Sequence, residues 1–470
     1  MNFKSILSNL SVAIVAQGVS VVLSIVSSLL VPKILGVEEY GYWQLFLYYI
    51  SYVGFFHLGL NDGVYLIFGG TPRDKIDKRT INSQFWFGFA FQAVFAAVIV
   101  IVASTGAFGA DRGFVLFWTA VFIVLQNLMS YLGYVFQAMN ETKLFSYTTI
   151  VERLSFLVPL VMLLITRDTS YKPYVYAYFF SCSVGLVYCI YYARDFFSAG
   201  LLPVGDAVRE GLGSIRVGIK LTLANTASTL ILGVTRSIVD MVWGISAFGQ
   251  LSFSISIVNF ILNFIMQVSM VLFPALRQGN EEELKSFFVN SRDITDLLLP
   301  AFYILYFPVV WILGLWLPQY LESFQFFAYL IPVCVFDGKM NVISTTIFKV
   351  KRKETLLLVI NFVTVGVSAL GSFIGAYLLH SAIFAIISAV IAIVGRSSFS
   401  ELYIARTLGT DRGRALPFEI CLTAAFVFLC VQFSAPVAAG IYVVLYGLYA
   451  FAFRGRYQEL LGKTRGLFQS

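Results

Sequence analysis

Apolar residues fall in long blocks, at about 10–31, 42–69, 83–108, 114–138, 145–165, 174–193, 218–242, 249–275, 295–317, 324–347, 356–379, 382–404, 416–433 and 436–453. A helix needs about 20 such residues to cross a hydrocarbon core of about 30 Å. The pattern therefore predicts an all-α integral membrane protein of about 14 helices; only the brief turn at His380 and Ser381 leaves twelve plus two as open as fourteen. Blocks seven and eight are not uniformly apolar. Thr222, Asn225, Thr229, Arg236 and Asp240 in one, and Ser252, Ser256, Asn259, Asn263 and Gln267 in the other, recur at helical spacing and give each helix a polar stripe. Lipid cannot satisfy such a stripe, so it must face protein or water. The turn between these blocks, Trp243-Gly-Ile-Ser-Ala-Phe-Gly, has an echo in Leu35-Gly-Val-Glu-Glu-Tyr-Gly, 208 residues earlier. A repeat at that distance predicts two similar halves with a site between them.

Composition agrees: 59% hydrophobic residues, 12% charged residues and a mean hydropathy of +0.83 exclude a soluble domain. The net charge of +7 sits scattered at block ends rather than on one basic face, which argues against nucleic acid. Cys182, Cys189, Cys334, Cys421 and Cys430 lie inside apolar blocks without paired spacing, so neither disulfides nor a metal site is predicted. If the N-terminus is cytoplasmic, the outer side carries only Lys33, Arg112, Arg167 and Lys172, and Arg236, Lys339 and Arg396 remain within the membrane. That asymmetry predicts both termini inside. The expected organisation is an N-terminal lobe at 1–198, a cytoplasmic linker at 199–216, a C-terminal lobe at 217–410, and two further helices with a tail at 411–470.

Outer loops are short, with too little chain to house a catalytic domain, and no GxxxxGK[ST] phosphate loop occurs. Three passages carry a family likeness. They are Leu35-Gly-Val-Glu-Glu-Tyr-Gly41 followed by Leu58-Gly-Leu60, Phe136-Gln-Ala-Met-Asn-Glu-Thr-Lys143 through Val151-Glu-Arg-Leu154, and the block seven to eight unit closing on Leu272-Phe-Pro-Ala-Leu276. On these the chain resembles the Wzx-type polysaccharide and O-antigen flippases of the multidrug/oligosaccharidyl-lipid/polysaccharide (MOP) exporter superfamily. One departure is that Thr235-Arg236 stands where relatives often carry Asp-Arg; the nearest acid is Asp240.

The resemblance implies a secondary transporter with two pseudo-symmetric six-helix lobes. Its cargo would be an undecaprenyl-diphosphate-linked oligosaccharide, moved across a bacterial inner membrane by alternating access, coupled to a proton or sodium gradient. Membrane lipids and polysaccharide polymerase or assembly proteins would be its partners, with no cofactor. The physics fits, because sugar hydroxyls stripped of partners in hydrocarbon cost several kcal/mol each, about 4–8 on the strictest scale. The expected cleft lies among helices 1, 2, 7 and 8, lined by Gln17, Ser20, Ser24, Asn225, Arg236, Asn259, Asn263 and Gln267, with Lys339 and Arg396 as further cations for the cargo. Asp62, Asp240 and Glu401 are the candidate ion-coupling acids. Bland readings stand beside these: Arg236 with Asp240, Arg396 with Glu401 and Asp337 with Lys339 as internal ion pairs, His57 as an interfacial residue, and Gly371 and Gly375 as a close helix contact. Two other functions remain open, a drug or cation exporter of the same fold and, from another class, a membrane glycosyltransferase or polymerase.

Overall fold

The computed structural model describes residues 18–277, 281–411 and 415–455, and the side chains of 264 and 266–277 lie outside what is described. Among the described residues there is no strand. Contacts divide the chain into two compact units, Met1–Ala227 and Ser228–Ser470.

In the first unit, α1 (Gly18–Leu29) bends by 67° into a second segment, Val31–His57. That segment comprises α2 (Val31–Ile50) and a 3-10 turn, Val53–His57. There follow α3 (Leu60–Phe68), α4 (Lys78–Ser104), α5 (Gly109–Ala138), α6 (Thr142–Thr166), α7 (Tyr171–Tyr192) and a single turn, α8 (Arg194–Phe197). α9 then runs from Val204 to Arg277 and carries the chain from one unit into the other. The second unit continues with α10 (Glu281–Trp316), α11 (Leu321–Leu330), α12 (Pro332–Lys339), a π-helical turn at Met340–Thr345 and α13 (Thr346–Val350). It ends with α14 (Glu354–Phe373), a second π-helical turn at Ile374–Leu378, α15 (Ala382–Thr407), α16 (Leu416–Gln432) and α17 (Ala435–Ala452).

Nine described helices are long and apolar enough to cross a membrane, or eleven if each bent pair is one span. Their outer faces are bare hydrocarbon: Ile165, Trp311, Leu315 and Val363 are among the most exposed side chains, which only lipid accommodates over so large an area.

Two predicted boundaries need correction. The turn expected at Leu35–Gly41 lies inside a helix, and the apolar block 42–69 is broken near its middle, where Leu58 and Gly59 take left-handed conformations. The supposed linker is helical from Val204 onward, and the short coil before it is strapped to α4. Arg79 donates to the Leu201 carbonyl at 2.7 Å, Asn82 to that of Gly200 at 2.9 Å, and Leu202 N–H to Ser83 Oγ at 2.8 Å. The polar groups at this point serve to tether the segment to α4.

The repeat is visible in the backbone. Gly36 has φ 72° and ψ 177°, and Gly244 has φ 82° and ψ −174°, each the one non-helical residue inside its helix. That region is open essentially to glycine alone. The aromatic four residues on, Tyr40 in one case and Phe248 in the other, is fully buried in both. Each predicted turn is thus compressed to a single glycine.

Candidate functional site

In the first unit the break after His57 builds a close helix crossing. Gly59 N–H donates to His57 Nδ1 at 3.0 Å, which spends that nitrogen locally. A Cβ on Gly63 would lie 1.9 Å from the Ser214 carbonyl oxygen, and one on Gly218 would lie 2.0 Å from that of Gly59. The start of α3 therefore packs backbone to backbone on the first half of α9. This contact delivers Thr222, whose hydroxyl donates to the buried Asp62 carboxylate. Beside it, Asn61 reaches the Asn127 carbonyl at 3.2 Å and Asn127 reaches that of Val53 at 3.0 Å. Asp62 is thus a buried, hydrogen-bonded acid, held by the polar stripe of α9.

At one end of this unit Arg73 gathers three segments. It bonds Glu141 at 2.8 Å and Asp195 at 2.6 Å, donates to the Tyr192 carbonyl at 2.5 Å, and lies 4.9 Å from the Phe196 ring centroid; Lys78 adds a second bridge to Asp195 at 2.9 Å. Partial burial pushes the Asp195 carboxyl up, but hydrogen bonds and charge from Arg73 and Lys78 outweigh it and hold its pKa at about 2. Glu141 belongs to the second family-like passage, so part of that passage serves as an anchor for Arg73.

In the second unit Arg236 donates from Nη2 to Ser252 Oγ at 2.8 Å, and its guanidinium lies 5.0 Å from the Phe248 ring centroid. The two polar stripes of α9 therefore meet, folded together at Gly244. Its neighbour Thr235 turns the other way, sharing hydrogen with Ser372 at 2.7 Å. Asn225, Asn259 and Asn263 are exposed, and Asp240 is half-buried. Gln17 and the Gln267 side chain lie outside the described residues.

The remaining charges are partnered differently from expectation. Arg396 pairs with Asp337, and also donates to Asn361 and Ser228, each at 3.1 Å. Lys339 meets Asp296 at 2.7 Å, Glu419 at 2.8 Å and Glu401 at 2.9 Å, and all four side chains are 5% exposed or less. The predicted Arg396–Glu401 and Asp337–Lys339 pairs fail for a geometric reason: residues five or two apart on a helix do not face each other. Lys339 and Arg396 are instead deep within this unit. Asp296 and Glu419 escaped notice because each opens an apolar block, where an acid reads as a boundary residue. The signal was the pair of membrane cations, which required more buried acid than had been assigned.

An apolar recess of about 450 Å³ opens among α11, α12, α15 and α16, walled by Pro332, Phe336, Val390, Ile420, Val427 and Phe428. On α14 and α15 the expected glycine contact is present: a Cβ on Gly371 would lie 2.5 Å from that of Ser388, and one on Gly375 2.7 Å from the Ala385 nitrogen.

No protein-family model matches the chain, and no curated protein matches it in sequence. Solved structures do. An inward-facing multidrug-resistance MATE transporter of the MOP superfamily superposes with a TM-score of 0.62 at 13% identity, over 84% of this chain and 98% of its own. The lipid II flippase MurJ, inward closed, gives a TM-score of 0.62 at 10% identity, over 96% of this chain and 100% of its own. A MATE protein in complex with MaL6 gives 0.51 at 14% identity, over 84% and 96%. The chain is a multi-pass membrane protein with the fold shared by MATE transporters and MurJ in the MOP superfamily.

Proposed function

We propose that this protein is a Wzx-type flippase, which carries an undecaprenyl-diphosphate-linked oligosaccharide across the bacterial inner membrane for polysaccharide or O-antigen assembly by an ion-coupled alternating-access cycle. The observation that supports it most is Arg236, a cation on the polar stripe of a membrane helix, oriented by Ser252 and Phe248. A guanidinium is suited to a diphosphate, which it binds with paired charge-assisted hydrogen bonds. The exposed Asn225, Asn259 and Asn263 offer donors and acceptors of the kind sugar hydroxyls require. The isoprenoid tail needs no polar path and stays in hydrocarbon, for which the recess beside Phe336 and Phe428 is one apolar surface. The full-length likeness to a lipid II flippase favours a lipid-borne cargo.

The likeness to MATE transporters favours a second reading, export of small drugs or cations. Proteoliposomes separate the two. A fluorescent lipid-diphosphate oligosaccharide should become accessible to an external quencher only when the protein is present; efflux of a lipophilic cation with no movement of the lipid would establish the exporter instead.

A further inference from the structure

The chemistry of the Lys339 cluster goes beyond binding of cargo. Three carboxylates from three helices, Asp296 on α10, Glu401 on α15 and Glu419 on α16, converge on one ammonium from α12. The ammonium donates to Asp296 and Glu419 and lies in ion-pair contact with Glu401 at 2.9 Å. Every acid is left with its second oxygen, Asp296 Oδ2, Glu401 Oε1 and Glu419 Oε1, buried and without a hydrogen-bond partner. With all three ionised the cluster would carry a net charge of −2, sealed among side chains 5% exposed or less. Even one uncompensated buried charge is strongly destabilising.

Nearby charges do not relieve the imbalance. Arg396, a helical turn from Glu401, is committed to Asp337, Asn361 and Ser228. Arg292, a turn from Asp296, donates to the Asp411 carbonyl at 2.7 Å and sits 3.7 Å from Asp293. α17 contributes Tyr442, Tyr446 and Tyr449, whose hydroxyls donate to the Pro300, Leu297 and Asp296 backbone carbonyls, each at 3.0 Å. Among the described residues no set of three or more acidic, histidine or cysteine side chains is arranged to hold a metal ion. Protons remain. Two of them on three carboxyl groups give −1 against the +1 of Lys339.

We propose that Asp296, Glu401 and Glu419 form a two-proton site with Lys339 as its fixed counter-charge, and that this site exchanges protons with water when the helices bearing it part. Each release breaks one carboxyl O–H bond, passes H⁺ to water and leaves a carboxylate. The second unit cannot close on that anion until a proton returns. The role in driving transport rests on the flippase reading; the proton count does not.

Infrared difference spectroscopy of the purified protein in lipid nanodiscs at neutral pH tests the count, through the C=O stretch of protonated carboxyl groups. Glu401→Gln, Glu419→Gln and Asp296→Asn should each remove one protonated carboxyl, halving the cluster's contribution, since two acids with Lys339 need only one proton. Lys339→Met should raise it about 1.5-fold, from two protonated acids to three. An unchanged carboxyl band in all three amide variants would overturn the site, and these isosteric variants keep the test decisive if Lys339→Met fails to fold. In proteoliposomes Glu419→Gln should carry the labelled lipid at one rate with or without a pH gradient. Full gradient dependence in that variant would overturn the driving role, and a wild type inactive toward the lipid would refute the flippase reading while the infrared result stood.

Discussion

Gly36 and Gly244 adopt a backbone conformation that costs other residues about 1–3 kcal/mol, and a Cβ at either would meet nothing within 4 Å. Alanine at either position should therefore lower thermal stability through backbone strain alone, by similar amounts in both halves. Scanning unfolding in detergent checks this; a neutral Gly244→Ala would mean that the kink is not conformationally demanding. Gly63→Ala is a different case, because its methyl would sit 1.9 Å from the Ser214 carbonyl oxygen. The helices must separate to accept it, at about 1–3 kcal/mol, and Asp62 should lose its contact with Thr222. At this scale the sequence was partly legible. The glycine echo was visible as spelling, but Gly63 and Gly218 were not, since contact between residues so far apart in the chain leaves no local pattern.

Between helices, the Arg73 clasp joins the turn before α4, the α5–α6 turn and α8 through Glu141 and Asp195. Asp195 titrates lower in the folded protein than the ordinary aspartate value of about 3.9. A depressed acid contributes stability that is fully present above its unfolded value and is lost as pH falls through the folded one. The loss should thus run from about pH 4 down to about pH 2. Because the carboxyl is one-third exposed, the contribution is under about 1 kcal/mol. Asp195→Asn should flatten the acid limb of the melting curve slightly and leave its neutral value lower by a similar amount. Helix identity came readily from apolar block length. Partners did not: Lys339 and Arg396 were recognisable as membrane cations from the sequence, but which acids they meet depends on helix rotation, which no one-dimensional pattern encodes.

For the molecule as a whole, the sharpest outcome concerns Arg236→Ala. The variant should insert, fold and elute as the wild type does, since Ser252 and Phe248 retain helical packing without it, yet lose lipid-linked oligosaccharide movement by at least about 10-fold, the equivalent of about 1.4 kcal/mol. Full activity would detach Arg236 from the cargo. A lysine at this position should recover only part, having a point charge where the guanidinium has a planar fork. The fold class was largely readable from block lengths, because spanning a bilayer leaves few solutions. The Met340–Thr345 turn, which directly follows Lys339, winds wider than an α-helix and so contains in effect one surplus residue. Excising Asn341 would tighten it into an ordinary turn and leave the faces on either side where they are, whereas the same deletion in a regular α-helix would swing everything beyond it through about 100°. Thr346 and Phe348 would then stay buried, in line with the charged half of the same span. Chains of this architecture that differ in length by one amino acid at this point therefore cannot be aligned through it without a gap, and a comparison that ignores the gap will assign the wrong face to the whole end of the helix.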